Sequence, residues 1–404
     1  MARKSVAIVS SYKVDCGIAY CAERIEENLK RYYDVEVIPV DLELLRSLAP
    51  KHVLKAGNAH VAQIAARLKD YDYVNIQMEA GLYGRSYEVT APRIKILLDG
   101  IRTHAVLTVH FPPEYWMNLE EALKIIARYK ILALPALYTK YLYIHGAESI
   151  WRAFKHKALQ NKVSLVTLNA HEKKCLESYY DMPNVYDSPL TFLNPKSRER
   201  VRTRISKKDF KARYGLTEQD MMVSAFGFFT PYKGFSDVIN ALCHLPPKYK
   251  LVLCGGANIT VIKEFTDCDP YLRSMLGLIQ ALGLEDRVIF TGTLSDDDLT
   301  TAMSHCDIAV LPYLETHQVA SGPATLAIEL SEKIIASNAS VFDHYETYYP
   351  GRIAARYQSG NHVALAHHIE RLCALPATGI VPHLEPDILT HTDLYRTIWE
   401  KQAS

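Results

Sequence analysis

The stretch Phe226-Gly-Phe-Phe-Thr-Pro-Tyr-Lys233-Gly234 decides how this chain is read. It follows an apolar run, Met221–Phe226, with the length of a buried strand, and it opens a helical pattern over Phe235–Leu245. A strand, a glycine loop with one lysine and then a helix make an anion site, because loop and helix N–H groups converge and Lys233 adds a full charge. The spacing is not that of a Walker loop, which places Lys before Ser or Thr after four intervening residues. By itself the loop is equally a plain strand-to-helix connection, so its meaning depends on its surroundings.

Those surroundings alternate strand and helix along the whole chain. In the first half, Ser5–Ser10, Val35–Val40, Tyr73–Gln77, Ala105–His110 and Val163–Leu168 read as strands, with amphipathic helices such as Ile18–Tyr32 between them. In the second, Met221–Phe226, Lys250–Cys254, Val288–Thr291, Ile308–Leu311 and a last strand Ile334–Ala336 alternate with helices. Pro323 suits the first position of helix Pro323–Lys333, and Ser295 with Asp298 caps another. Alternation of this kind means parallel sheets covered on both faces, with ligands outside the carboxyl ends of the strands. Gly17, Glu79 and His110 all stand at such ends. The expected architecture is α/β, two Rossmann-like doubly wound domains facing a central cleft: 1–200, 201–385, and a C-terminal helix at 386–404.

Composition narrows the function classes. The 404 residues are 49% hydrophobic and 23% charged, ordinary for a globular protein, and 46 basic against 45 acidic side chains leave a net charge of +1. A balance that close predicts no nucleic-acid partner. No apolar run approaches the roughly 18–20 residues of a membrane span, and the start lacks the apolar core of a signal peptide. The eight cysteines form no Cys-x-x-Cys pair, so buried, reduced thiols and a cytoplasmic setting are expected. Two segments bear on peripheral contact with the inner face of a membrane. The basic run Lys196–Arg213 is either a solvated helix face or a patch for acidic lipid, and the tyrosine-rich segment 129–143 is either core or a docking surface.

The ordered landmarks of the second half resemble a known group. They are Gly227 to Gly234, then Leu251-Val-Leu-Cys-Gly255-Gly256, Arg287-Val-Ile-Phe-Thr-Gly292, Cys306-Asp307-Ile-Ala-Val-Leu-Pro312-Tyr313 and Ser321-Gly-Pro-Ala-Thr-Leu-Ala-Ile-Glu329. The first half adds Asp15-Cys16-Gly17-Ile18-Ala19, Gln77 to Gly84 and Thr108-Val109-His110, and Asp393–Trp399 resembles a helix that crosses back onto the N-domain. Together they are similar to the retaining GT-B glycosyltransferases, close to glycosyltransferase family 4 (group 1), over nearly the whole chain. This sequence departs from the family at Phe228, where arginine is usual, at Ser321, where the first glutamate of Glu-x7-Glu stands, and at Pro323-Ala324, usually Phe-Gly.

The resemblance implies transfer of a sugar, with retention, from a nucleotide-diphosphate-sugar donor, UDP- or GDP-linked, to a glycan or lipid-linked acceptor, as in polysaccharide biosynthesis. It implies His110, Lys233 and Glu329 as catalytic, and Gly17, Gly227, Lys233, Ser321, Gly322, Ala324, Thr325 and Glu329 on the donor, with Glu79 on the acceptor. In chemical terms Lys233 and the N–H groups of Ala324 and Thr325 face the leaving pyrophosphate. Glu329 accepts from ribose hydroxyls, and His110 places the sugar. No Asp-x-Asp stands at a strand end, so no metal and no further cofactor are expected. Two alternatives stay open: a catalytically weak GT-B-like binding or partner subunit, which Phe228 and Ser321 motivate, and a GT-B epimerase or phosphorylase.

Overall fold

The structure, a computed structural model, describes residues 3–14, 16–47, 51–111, 134–256, 270–315, 318–376 and 384–403. Asp15, Pro112, Pro113 and the tyrosines of 129–143 lie outside the residues whose side chains are described. The chain forms two compact units, Met1–Pro189 with Ile388–Ser404, and Leu190–Asp387. The division falls at Pro189, earlier than the expected boundary at 200, and the Phe192 and Leu193 N–H groups just beyond it bond to the second unit's Glu329.

The first unit carries a parallel sheet of β1 (Ser5–Ser10), β2 (Asp34–Pro39), β3 (Tyr73–Met78), β4 (Ala105–Val109), β5 (Val163–Thr167) and β6 (Val185–Asp187), in the order β2-β1-β3-β4-β5-β6. Strands β3, β4 and β5 are buried along their whole length, as expected for central strands of a parallel sheet covered on both faces. One face packs Ala7, Val9, Val74, Ile76, Met78 and Leu107 against helices Lys51–Arg67, Tyr87–Asp99 and Leu134–Leu159. The other face of β3 presents Tyr73, Asn75 and Gln77, two residues apart, to the C-terminal helix Ile388–Ala403. Trp399 of that helix stacks on Tyr73 with ring centroids 5.1 Å apart, and Tyr395 bonds Thr108 at 2.6 Å. So the terminal helix belongs to the first unit.

The second unit repeats the scheme with β7 (Met221–Phe226), β8 (Tyr249–Cys254), β9 (Val288–Phe290), β10 (Ile308–Leu311), β11 (Ile334–Ser337) and β12 (Ala355–Tyr357), in the order β12-β11-β10-β7-β8-β9. Sequence order reverses between β7 and β10, which are hydrogen-bonded neighbours, and between β1 and β3 in the first sheet. Strand β11 is therefore not the last: β12 pairs beside it, and helix Val341–Tyr348 joins them. A strand of three residues gives the sequence too short an alternation to show itself. Between β2 and β3 the chain forms a short helix, Leu42–Leu45, and a separate longer one, Lys51–Arg67.

The helix starts follow ordinary capping chemistry. Asn194, with Pro195 behind it, accepts from the Ser197 N–H, Ser206 from Asp209 and Ser295 from Asp298. The basic run, which the sequence left open to acidic lipid, is largely neutralised within the second unit. Arg204 pairs with Asp297 at 2.7 Å, Arg213 with Asp298 at 3.2 Å and Lys208 with Glu218 at 2.6 Å, while Lys207 and Lys211 share Asp307 at 2.6 and 2.9 Å. Cys21, Cys175, Cys254 and Cys306 are buried thiols, but Cys243 is exposed. Among the described residues no helix is long and apolar enough to cross a membrane, and no cluster could hold a metal ion.

Candidate active site at the carboxyl ends of the strands

In the second unit the lysine loop leaves the end of β7, at the strand-order reversal where open α/β sheets bind ligands. Its backbone is tied to the next loop by Gly227 N–H to Cys254 O at 3.0 Å and Phe229 N–H to Gly256 O at 2.9 Å. Two glycines there are sterically required. Gly234 has φ +66° and a side chain on it would meet the Pro312 carbonyl oxygen at 1.8 Å. Gly227 has φ +121°, and a Cβ would press on Lys233 Cε at 3.1 Å.

Lys233 is 3% exposed. Its ammonium donates to Ser321 Oγ at 3.2 Å and lies 3.8 Å from the centre of the Tyr313 ring and 5.0 Å from that of Tyr232. Among the described residues no carboxylate comes within ion-pair distance of it. Two aromatic faces compensate a cation only in part, and burial draws the lysine down to about 7. A buried cation with one hydroxyl acceptor is a site short of negative charge.

Ser321 is the N-cap of helix Gly322–Leu330, yet its side chain makes no capping bond. Its Oγ is held between Lys233 and the Tyr313 hydroxyl, 2.9 Å away. Tyr345 takes over the capping work: its oxygen accepts from Ser321 N–H at 3.1 Å, and its O–H donates to Ser321 O at 3.0 Å. Thr325 Oγ1 lies 2.8 Å from the same hydroxyl, and Thr325 N–H already donates to Ser321 O at 2.9 Å. The Thr325 N–H, expected to face a phosphate, is thus engaged with Ser321 O, and its hydroxyl with Tyr345. Gly322 and Ala324 remain, their N–H groups making no hydrogen bond among the described residues, at the positive end of the helix.

Glu329, 1% exposed, accepts from the Phe192 and Leu193 N–H groups through one oxygen, at 3.0 and 3.2 Å. Its other oxygen, Oε2, has no partner among the described residues. Burial raises the carboxyl to about 8 against the pull of those two N–H groups. Half of Glu329 is therefore structural, and one buried oxygen is left for a hydroxyl. Tyr349 OH and Arg198 Nη1 are likewise buried and without partners among the described residues.

In the first unit Gly17 opens helix Gly17–Leu29 after β1, Glu79 follows β3 and His110 follows β4. A Cβ on Gly17 would meet nothing within 4 Å, so the fold itself does not require glycine there. Glu79 caps the short helix Ala80–Tyr83 by accepting from Gly81 N–H at 3.2 Å, and burial raises its pKa. His110 bonds Gln77 Oε1 through Nε2 at 2.7 Å. Burial, and then His391, push its pKa down to about 3. At neutral pH the imidazole is uncharged.

The sequence did not single out Tyr313 or Tyr345, the two hydroxyls that bracket Ser321. Tyr313 stood in a quoted motif without a role. Tyr345 lies 24 residues beyond Ser321 on a helix that the alternation had not shown.

Two parallel Rossmann-like units, the terminal helix returned to the first, and a lysine loop facing a helix start at the strand-order reversal define the GT-B fold. Residues 206–376 match the family of glycosyl transferases group 1, and the chain is a glycosyltransferase. Solved structures are similar along its length. HepE of Anabaena in complex with UDP-glucose covers 99% of this chain and 98% of its own, at 16% identity and TM-score 0.56. A glycosyltransferase from Rickettsia africae gives 99% and 94%, 13% identity and TM-score 0.61. A UDP-forming trehalose-phosphate synthase from Burkholderia xenovorans gives 100% of both chains, 11% identity and TM-score 0.66. At such identities the likeness speaks for the fold. No curated protein matches the sequence.

Proposed function

We propose that the chain transfers a sugar, with retention and without a metal, from a nucleoside-diphosphate donor to a glycan or lipid-linked acceptor. The observation that supports this best is Lys233, a buried ammonium with no carboxylate, beside the Gly322 and Ala324 N–H groups. As the bond from the anomeric carbon to the phosphate oxygen breaks, its electron pair leaves with the pyrophosphate. Fixed donors aimed at that growing charge lower the barrier. Retention follows when the acceptor oxygen attacks from the leaving-group face and its proton passes to the departing phosphate. Phe228 supplies no charge where the family has arginine, so Lys233 bears more of the pyrophosphate.

In this reading the unpartnered Oε2 of Glu329 takes a ribose hydroxyl, His110 a sugar hydroxyl and Glu79 an acceptor hydroxyl, while Gly17 leaves room for close approach. UDP-glucose is the first donor to try, since HepE binds it. UDP, GDP, ADP and dTDP, each near 100 times its Kd, are screened by thermal shift on wild type and Lys233→Met. One of them should add about 2.7 kcal/mol to the wild type and much less to the variant. Stabilisation of neither protein by any of them would overturn the proposal.

A further inference from the structure

The first unit holds a continuous string of buried polar groups that ends at His110. Asn75 and Gln77 stand two apart on β3, and Val106 and Thr108 lie opposite them in register on β4. Asn75 Nδ2 lies 3.3 Å from the Val106 carbonyl oxygen and 3.2 Å from Thr108 Oγ1. Gln77 Nε2 lies 2.6 Å from Asn75 Oδ1, and Gln77 Oε1 lies 2.7 Å from His110 Nε2.

Only one member of this string has a role that chemistry fixes in advance. A hydroxyl such as Thr108 can donate or accept, and an amide can be turned end for end, but a backbone carbonyl only accepts. Asn75 must therefore turn its NH₂ toward Val106 O, which leaves its oxygen facing Gln77. Gln77 must then offer its NH₂ to that oxygen, so Oε1 faces His110. An amide oxygen only accepts, so the His110 nitrogen beside it carries the proton. Cys21 agrees: its thiol, kept protonated by burial that raises it to about 12, lies 3.8 Å from the same Gln77 Oε1 and supplies a hydrogen.

We infer that the Val106 carbonyl, acting through Asn75 and Gln77, holds His110 as its Nε2–H tautomer, so that Nδ1 meets a ligand as a hydrogen-bond acceptor. Nδ1 has no partner among the described residues. Asn75 and Gln77 are positioning residues, since neither carries the nitrogen that reads the ligand. Resting on the proposed transferase function, the ligand group is a donor-sugar hydroxyl that gives its hydrogen to Nδ1.

The test has two arms. In the first, long-range ¹H–¹⁵N correlation of histidine-labelled protein at pH 7, assigned by the signals lost in His110→Asn, should show the proton on Nε2 and a bare Nδ1. Asn75→Leu, which touches His110 nowhere but frees Gln77 to turn over, should give mixed tautomers; Asn75→Asp, which keeps an oxygen facing Gln77, should restore Nε2–H. A proton on Nδ1 in the wild type, or no change in Asn75→Leu, overturns the inference. The second arm compares donors in which one sugar hydroxyl is replaced by hydrogen or by fluorine, which accepts but cannot donate. At the position His110 reads, both replacements should weaken binding equally, about tenfold, and His110→Phe should bind the three donors alike. If fluorine preserves binding at every position, the acceptor role of Nδ1 fails while the tautomer result stands. Absence of any nucleotide-sugar binding would instead count against the transferase reading.

Discussion

Lys233 Nζ and Ser321 Oγ are 3.2 Å apart, so position 321 sets a hydroxyl and not a carboxylate against the site's buried ammonium. A carboxylate there would neutralise the lysine. The serine leaves its charge unmatched, and burial favours losing the lysine proton.

Binding should therefore take up a proton. Burial holds Lys233 at about 7, and a diphosphate bound beside it would raise it. Between pH 7.5 and 9 the terminal phosphate, with a pKa of about 6, is already ionised. Affinity for the nucleoside diphosphate should fall about tenfold per pH unit in that window. Calorimetry in two buffers of different ionisation enthalpy reads the uptake directly. Lys233→Met should bind weakly, with no uptake and roughly 100-fold lower kcat/KM; uptake equal to wild type would remove Lys233 from the site.

The same shift acts on folding. Lys233 titrates near 7 when folded and near 10.5 when unfolded, so over that range the unfolded chain binds more protons and stability rises with pH. Lys233→Met should lack this rise and be more stable at pH 7 by about 1 to 3 kcal/mol. Denaturant midpoints at pH 7 and 9.5 decide the matter.

Glu329 gives the opposite slope. Its folded pKa of about 8 exceeds the ordinary 4.5, so the folded state holds the extra proton and stability falls as pH rises from 4.5 to 8. Glu329→Gln keeps an oxygen for the Phe192 and Leu193 N–H groups and removes the titration. It should match wild type near pH 4.5 and exceed it at pH 8 by on the order of 2–4 kcal/mol. Equal stabilities at pH 8 would show that the carboxyl is not raised.

Two glycines at helix starts should separate fold from function. Gly234→Ala drives a Cβ to 1.8 Å from the Pro312 oxygen at φ +66° and should cost more than about 2 kcal/mol. Gly17→Ala meets nothing within 4 Å, so its stability should stay within about 0.5 kcal/mol of wild type. Any loss of activity in Gly17→Ala is then an effect on ligand approach, visible in KM.

Asp307 accepts from Lys207, Lys211 and the Met222 N–H, at 2.6, 2.9 and 2.7 Å. Asp307→Asn leaves the buried Lys211 without its counter-charge, a change worth about 3–5 kcal/mol. Thermal unfolding compared with that of the exposed-pair variant Glu218→Gln, expected to move by less than 1 kcal/mol, checks the assignment.

What the sequence could show follows from the range of each signal. Strand β7 and the lysine loop were legible because an apolar run, two glycines and a lysine are neighbours in the chain. Strand β12 was not, being three residues with a charged one at the centre. The basic run invited a lipid reading because its acids, Asp297, Asp298 and Asp307, lie some 85 to 100 positions away. The Tyr345 cap of Ser321 is likewise a tertiary fact. The string behind His110 did leave a trace, since Asn75 and Gln77 put amides at a two-residue period inside an otherwise apolar strand. Such a pattern in a buried strand calls for polar partners.

Because helix Ile388–Ala403 closes the first unit, that unit is interrupted in sequence by the whole of the second. During synthesis, Asn75, Thr108 and Tyr73 emerge long before Tyr395 and Trp399, their eventual cover. The second unit, continuous from Leu190 to Asp387, is synthesised whole before the residues that cover the first unit's sheet face are added.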